Sequence, residues 1–442
     1  MKIKLSDHFT YGRLFRFVLP SIAMMIFTSI YGVVDGFFVS NYAGKVEFAA
    51  VNLIMPFPMM LGAFGFMIGT GGSALVSITL GEGKKKEANE FFSMLIYVTI
   101  GLGLVLTILG IVFTGQIAKF LGAEGEMLKY CVQYGRILLT AMVPFMLQNV
   151  FQSFLVTAEK PTFGLVITVI AGITNIFLDY LLIGVFEGGV VGAALATVIS
   201  QFIGGIIPLV YFIIPNKSQL RLVKARLNLW ALGKTCFNGS SELMTNLSIS
   251  LVNMLYNFQL LRFAGEDGVA AYGVIMYVNF IFIAVFLGYA IGTAPIIGYH
   301  YGADNKDEMR NVYRKSICFN IVSGILMCII AIALATPLAK LFVGYDAKLC
   351  EMTVWGFTIY SISFLVMGLN IYGSSFFTAL GNGLVSAIIS FLRTLLFQVV
   401  AVLILPIFFG LNGIWFAIVA AEGAALVVTV GFLVLCRKKY GY

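Results

Sequence analysis

Charge is what this chain has least of. Only 11% of its 442 residues are Asp, Glu, Lys or Arg, where a soluble globular domain carries about 25%. With 60% of residues hydrophobic, that scarcity excludes a soluble fold. Histidine is rarer still: His8 and His300 are too few and too far apart to suggest a metal cluster. The six cysteines, Cys131, Cys236, Cys318, Cys328, Cys350 and Cys436, stand singly without CxxC spacing, so neither a zinc site nor a disulfide framework is indicated. HExxH, GxSxG and paired aspartates in a catalytic motif are missing as well, which weighs against an intramembrane enzyme.

Long uncharged runs are what the chain has in abundance. About 20 residues of helix cross a bilayer, and runs of that length recur from end to end. With their breaks they predict twelve spanning helices, near 15–38, 48–78, 91–113, 129–155, 162–186, 190–214, 233–262, 268–297, 314–336, 349–379, 383–408 and 412–436. The last three include a run interrupted by the turn-like ALGNG at 379–383. A β-barrel would show short alternating segments instead, so the expected fold class is an all-α integral membrane protein. Pro56, Pro58, Pro144 and Pro295 are expected to kink their helices. No small-residue cleavage site follows the first run, which reads as a retained helix.

Lysines and arginines set the orientation, because cytoplasmic loops carry the excess. With the N-terminus inside, 20 of the 28 fall on the inner side and 7 on the outer, and Arg393 alone lies within a span. Topology therefore accounts for the net charge of +8 without a nucleic-acid partner. The expectation is a multi-pass protein of the plasma membrane with both termini cytoplasmic.

A shift of 221 residues brings the chain into register with itself. Ala43-Gly44 falls on Ala264-Gly265, Ile54-Met55 on Ile275-Met276, and Gly81, Lys85 and Glu87 on Gly302, Lys306 and Glu308. Farther on, Asn149 meets Asn370, Thr157-Ala158 meets Thr378-Ala379, and Gly189 and Gly192 meet Gly410 and Gly413. The matches cluster at span ends and turns. Two parallel six-helix repeats follow, 1–221 and 222–442, joined by a basic cytoplasmic connector at 216–230. Parallel repeats place a cavity between two lobes whose rocking gives alternating access, so transport is favoured over a structural or channel role.

Polar residues that break the repeat are the candidate sites. Asp35 falls on Tyr256, Asp179 on Val400 and Asn175 on Leu396, so this set belongs to the first lobe only. Asn175 and Asp179 are four apart and share a helical face. At about 1.5 Å per residue, Asp35 and Asp179 reach similar depth. Burial and a second carboxylate both disfavour ionisation, so the cluster suits proton exchange near neutral pH, while its three oxygen-bearing side chains equally suit a small hard cation. The second lobe holds Glu242, Arg393 and Glu422, for which a buried ion pair of Arg393 with Glu422 or Glu242 is the structural alternative. Tyr31, Gln148, Gln152, Tyr256 and Asn370 are candidate substrate-cavity residues.

The opening FVLPSIAMM…IYGVVDGFFVSNYAG, the ITNIFLDYLLI segment with Asn175 and Asp179, and the paired inner loops together resemble the multidrug and toxic compound extrusion (MATE) transporters. The resemblance covers the whole chain. It implies secondary active export of amphipathic, often cationic drug-like compounds from a monomer among membrane lipids, coupled to H+ or Na+ and without a cofactor. It implies a cation site at Asp35, Asn175 and Asp179, with Na+ there as the one metal ion conceivable, and a role for Glu242. The sodium-coupled branch that adds an aspartate in the tenth helix is not matched, since 352–379 contains none; that favours first-lobe coupling. A flippase for lipids or lipid-linked sugars shares the architecture, but would be expected to line its cavity with several cations, and Arg393 is alone.

Overall fold

The computed structural model describes residues 3–42 and 44–442, so Met1, Lys2 and Ala43 of the repeat register lie outside the described residues. A backbone in hydrocarbon must satisfy its own N–H and C=O groups, and here it does so in helices. The first half contains α1 (Tyr11–Tyr42), α2 (Lys45–Ile54), α3 (Pro56–Gly81), α4 (Lys85–Phe120), α5 (Gly125–Leu139), α6 (Met142–Thr157), α7 (Pro161–Asp179), a π-helical turn at Tyr180–Val185, and α8 (Gly189–Ile213). The second contains α9 (Leu229–Gly302), α10 (Lys306–Val343), α11 (Ala347–Ser361), α12 (Phe364–Ala379), α13 (Gly383–Phe391), a π-helical turn at Leu392–Leu396, α14 (Phe397–Phe409), α15 (Leu411–Leu435) and the short α16 (Arg437–Tyr440).

Among the described residues, nine helical stretches are long and apolar enough to cross a membrane, and the bent pairs α5–α6 (57°) and α11–α12 (48°) raise that to eleven. The 74-residue α9 is two spans, because Gly265 breaks it at φ 65° and ψ −152°. Twelve spans result, at the places the apolar runs mark. Gly44, the counterpart of Gly265, also has positive φ, as do the paired Gly189 and Gly410; only glycine adopts such torsions without strain. The repeat is thus written in the turns as well as in the residues.

The two bends fall at matching places in the two halves but have different local causes. Pro144 has no N–H to give the carbonyl of Thr140 and crowds it, so the fourth span breaks there. The tenth has no proline; Ser361 and Ser363 donate back to the carbonyls of Phe357 and Tyr360 at 2.6 and 2.7 Å, a bond that bends helices. Pro295, expected to kink the eighth span, sits inside α9 where Gly265 is the one departure from helical torsions.

The segment before α1, the C-terminal Gly441 and the turns after α3, α6 and α9 gather on one face, the basic face. Leu5 N donates to Glu159 Oε1 and Phe9 N to Glu308 Oε1, each at 2.8 Å, so the segment before α1 ties a loop of the first half to the second. Arg310 Nη2 donates to the Gly441 carbonyl at 3.1 Å. On this side the halves meet through glycines. A Cβ on Gly71 would lie 2.1 Å from the Thr235 carbonyl oxygen, one on Gly81 2.0 Å from that of Tyr299, and one on Gly302 2.0 Å from that of Ile78. The backbones of α3 and α9 therefore touch, and α1 joins the seam where Gly288 meets Ser21 and Ile22. Toward the opposite face, Gly32, Gly36 and Gly273 have nothing near them.

Candidate functional site

Each half carries a polar centre, and the two are chemically unlike. In the first, α1 supplies Tyr31 and Asp35, α6 supplies Gln148, and α7 supplies Asn175 and Asp179 one turn apart. Asp179 is fully buried and Asn175 nearly so, while Asp35 is partly buried. The Asp35 carboxyl adjoins the side chains of Asp179 and Asn175. Among the described residues, no hydrogen-bond donor reaches either carboxyl oxygen of Asp179, nor Oδ1 of Asp35. Tyr31 adjoins Gln148 and packs on Gly172, where a Cβ would lie 2.8 Å from its ring. The helix passes directly from Asp179 into the π-helical turn, a feature that recurs at functional sites.

Tyr134 faces both aspartates, yet its hydroxyl lies 3.6 Å from Met55 Sδ. Sequence reasoning misses it. Nothing in KYCVQYGRILL marks one tyrosine over another; packing of α5 against α2 and α8 brings it in. Gln152 is buried on α6 with Oε1 unpartnered, and it is not on the wall of the cavity described next.

In the second half Arg393 Nε donates to Glu422 Oε1 at 2.8 Å and Oε2 at 3.1 Å. Asn370 Nδ2 donates to Glu422 Oε2 at 2.7 Å and to its backbone oxygen at 3.0 Å. Of the two partners the sequence allows, the ion pair is therefore with Glu422; Glu242 feels the Arg393 charge but forms no salt bridge with it among the described residues. Asn370 is fully buried by this contact and does not line the cavity beside it. That cavity, of about 290 Å³, is walled by Tyr256, Tyr272, Tyr360, Asn279, Arg393 and Gln398 among others. In the repeat register Arg393 falls on Gly172, Glu422 on Gln201 and Tyr256 on Asp35. Neither centre has a copy in the other half.

The MatE family model matches this chain twice, over residues 20–181 and again over 243–404. Among curated proteins, the multidrug export protein MepA of Staphylococcus haemolyticus (strain JCSC1435) is 26% identical over 409 residues, covering 92% of this chain and 89% of that protein. MepA of Staphylococcus aureus (strain MSSA476) is 25% identical over 427 residues, covering 96% and 93%. Among solved structures, MATE in complex with MaL6 superposes with a TM-score of 0.91 at 23% identity, covering 97% of this chain and 96% of that one. The outward-facing conformation of a multidrug resistance MATE family transporter of the MOP superfamily gives 0.90 at 23% identity, covering 97% and 95%. With one match of the family model in each six-span half, this chain belongs to the MatE family.

Proposed function

We propose that this protein is a secondary active antiporter that exports amphipathic, cationic small molecules in exchange for H+ or Na+. Lobes 1–221 and 222–442 alternate access as two bodies about the cavity between them. The observation that carries the reading is the adjacent pair of carboxyl groups, Asp35 and Asp179, in one lobe only, with both oxygens of Asp179 and Oδ1 of Asp35 lacking a partner among the described residues. Two such groups held together need a proton or a cation between them. Their oxygens and the Asn175 amide oxygen are hard ligands of the kind a sodium ion takes, and a proton shared by the carboxyls satisfies them equally. The multidrug export function named for the MepA relatives supports export of small molecules.

The basic face is taken as cytoplasmic by the positive-inside rule, so the glycine seam closes the inner side and the chain is poised outward. An ion entering from outside neutralises the pair and releases an organic cation; the neutral lobe then crosses, loses the ion inside and binds again. Exchange of one proton for one monovalent cation moves no net charge, so each tenfold ion gradient supplies about 1.4 kcal/mol. The protein works as a monomer among membrane lipids and needs no cofactor.

Reconstitution into liposomes, with an outward H+ gradient or an outward Na+ gradient imposed separately, tests the proposal. One of the two is expected to drive accumulation of a fluorescent organic cation against its own gradient at least tenfold faster than in its absence. If neither does, ion-coupled antiport is wrong for this chain.

A further inference from the structure

The ion pair in the second lobe is only half used. Glu422 takes up the Nε side of Arg393 and both of its own oxygens are engaged, by Arg393 and Asn370. The two terminal amino groups of the guanidinium have no partner among the described residues, and Arg393 stands on the cavity wall. Its position in the π-helical turn Leu392–Leu396 is what turns it off the regular helical path and toward that space. A guanidinium presents its donors as a rigid fork matched to carboxylate geometry, and here one edge of the fork is spent while the other is open.

The rest of the wall mixes donors and acceptors, so the free edge of Arg393 is its one unspent cationic group among the described residues. Tyr256 Oη donates to Gln398 Oε1 at 2.9 Å and Tyr272 Oη to Asn253 Oδ1 at 3.0 Å, which occupies an amide oxygen of each of these two wall residues. Acceptors stand on the wall as well: the Glu422 carboxylate that holds Arg393, Asn246, whose Nδ2 is given to the Glu242 carbonyl, and Asn279 Oδ1, in a side chain 6% exposed and without a partner among the described residues. Opposite the polar side, the rings of Tyr256 and Tyr272 stack with centroids 5.0 Å apart and planes 4° from parallel, a flat surface for a flat ligand. Glu242 lies three residues before Thr245 of the wall and is not itself on it, and Glu422, which is, has both oxygens taken up by Arg393 and Asn370.

We infer that this cavity is a second binding site, distinct from the aspartate pair, and that it takes a small aromatic carboxylate: the ring lies on the Tyr256–Tyr272 stack and the carboxylate meets the free edge of Arg393. A volume of about 290 Å³ admits one or two fused rings with a carboxylate and little more, being at the lower end of small-molecule sites. Nothing in this inference requires ion coupling or cation export, so it stands or falls apart from that reading.

The test is equilibrium binding to the purified full chain in detergent, by calorimetry, of three probes of one shape: 2-naphthoate, the cation 2-naphthylmethylammonium, and neutral 2-naphthalenemethanol. Naphthoate is expected to bind saturably and at least tenfold more tightly than either isostere. Arg393→Lys keeps a charge for Glu422 but has no second edge, and is expected to weaken naphthoate at least tenfold with little change in melting temperature. Tyr272→Leu, which removes the stack without touching the ion pair, is expected to weaken all three probes. Should the ammonium bind as tightly as the carboxylate, or the carboxylate not bind to the wild-type chain, the inference is overturned. It is equally overturned if naphthoate binds a folded Arg393→Lys or Tyr272→Leu chain unchanged.

Discussion

Asp35→Asn and Asp179→Asn are each expected to insert and fold as well as the wild type, yet lose gradient-driven export by at least tenfold, the equivalent of about 1.4 kcal/mol of coupling. The amide keeps the size of the carboxyl but has no charge to exchange for an ion. Folding should not suffer, and melting temperature is expected to hold or rise. Both carboxyl oxygens of Asp179 and Oδ1 of Asp35 have no partner among the described residues, so little is left unpaired when one of them goes, and a buried acceptor without a partner costs about 1–3 kcal/mol while it stays. Val400→Ala, at the repeat counterpart of Asp179 and exposed on the outside of its helix, should export normally. The measurement is efflux from vesicles at matched protein levels under the gradient that drives the wild type. Wild-type export by both asparagine variants would move the coupling site elsewhere, with Glu242 next in line.

Arg393→Leu is expected to be the opposite kind of variant, one that fails in folding. It strands Glu422, 1% exposed, with only the Asn370 amide for company. Breaking one side of a buried pair costs about 3–5 kcal/mol, whereas removing both partners is often neutral. The folded yield should therefore fall severely in Arg393→Leu and recover for the most part when Glu422→Gln is added. Adding Glu242→Gln instead should rescue little, since that carboxylate has no salt bridge with Arg393 to lose. Monodisperse yield and melting temperature in detergent read the outcome. Rescue by Glu242→Gln equal to that by Glu422→Gln would contradict the geometry.

Much of this architecture is legible in the residues because the bilayer leaves so few options. An apolar run of spanning length has to be a helix, and the constant offset of 221 between span-end glycines such as Gly189 and Gly410 fixes the repeat before any packing is known. The convergence of Asp35 and Asp179 is legible too, from depth alone. What depends on side-chain contact is not. The partner of Arg393 is undecided in sequence because Glu242 and Glu422 lie at compatible depths, and only the approach of α15 to the π-helical turn separates them. The bend between α11 and α12 has no proline to announce it. Tyr134 is brought near the aspartates by three-helix packing that no periodicity of α5 encodes.

The seam of glycines between α3 and α9 has a kinetic meaning as well as a steric one. A contact between two bare backbones immobilises no side chain, so closing it incurs none of the roughly 0.5–1.5 kcal/mol per ordered side chain that other interfaces do. Parting it releases no trapped rotamers either. What holds it is dispersion between atoms in van der Waals contact, which falls away within a fraction of an ångström. Such a joint acts less as a lock than as a pair of flat plates, firm when together and free once apart. In the proposed cycle nothing has to be repacked there, and the specific bonds beside the joint are the straps, Leu5 on Glu159 and Phe9 on Glu308.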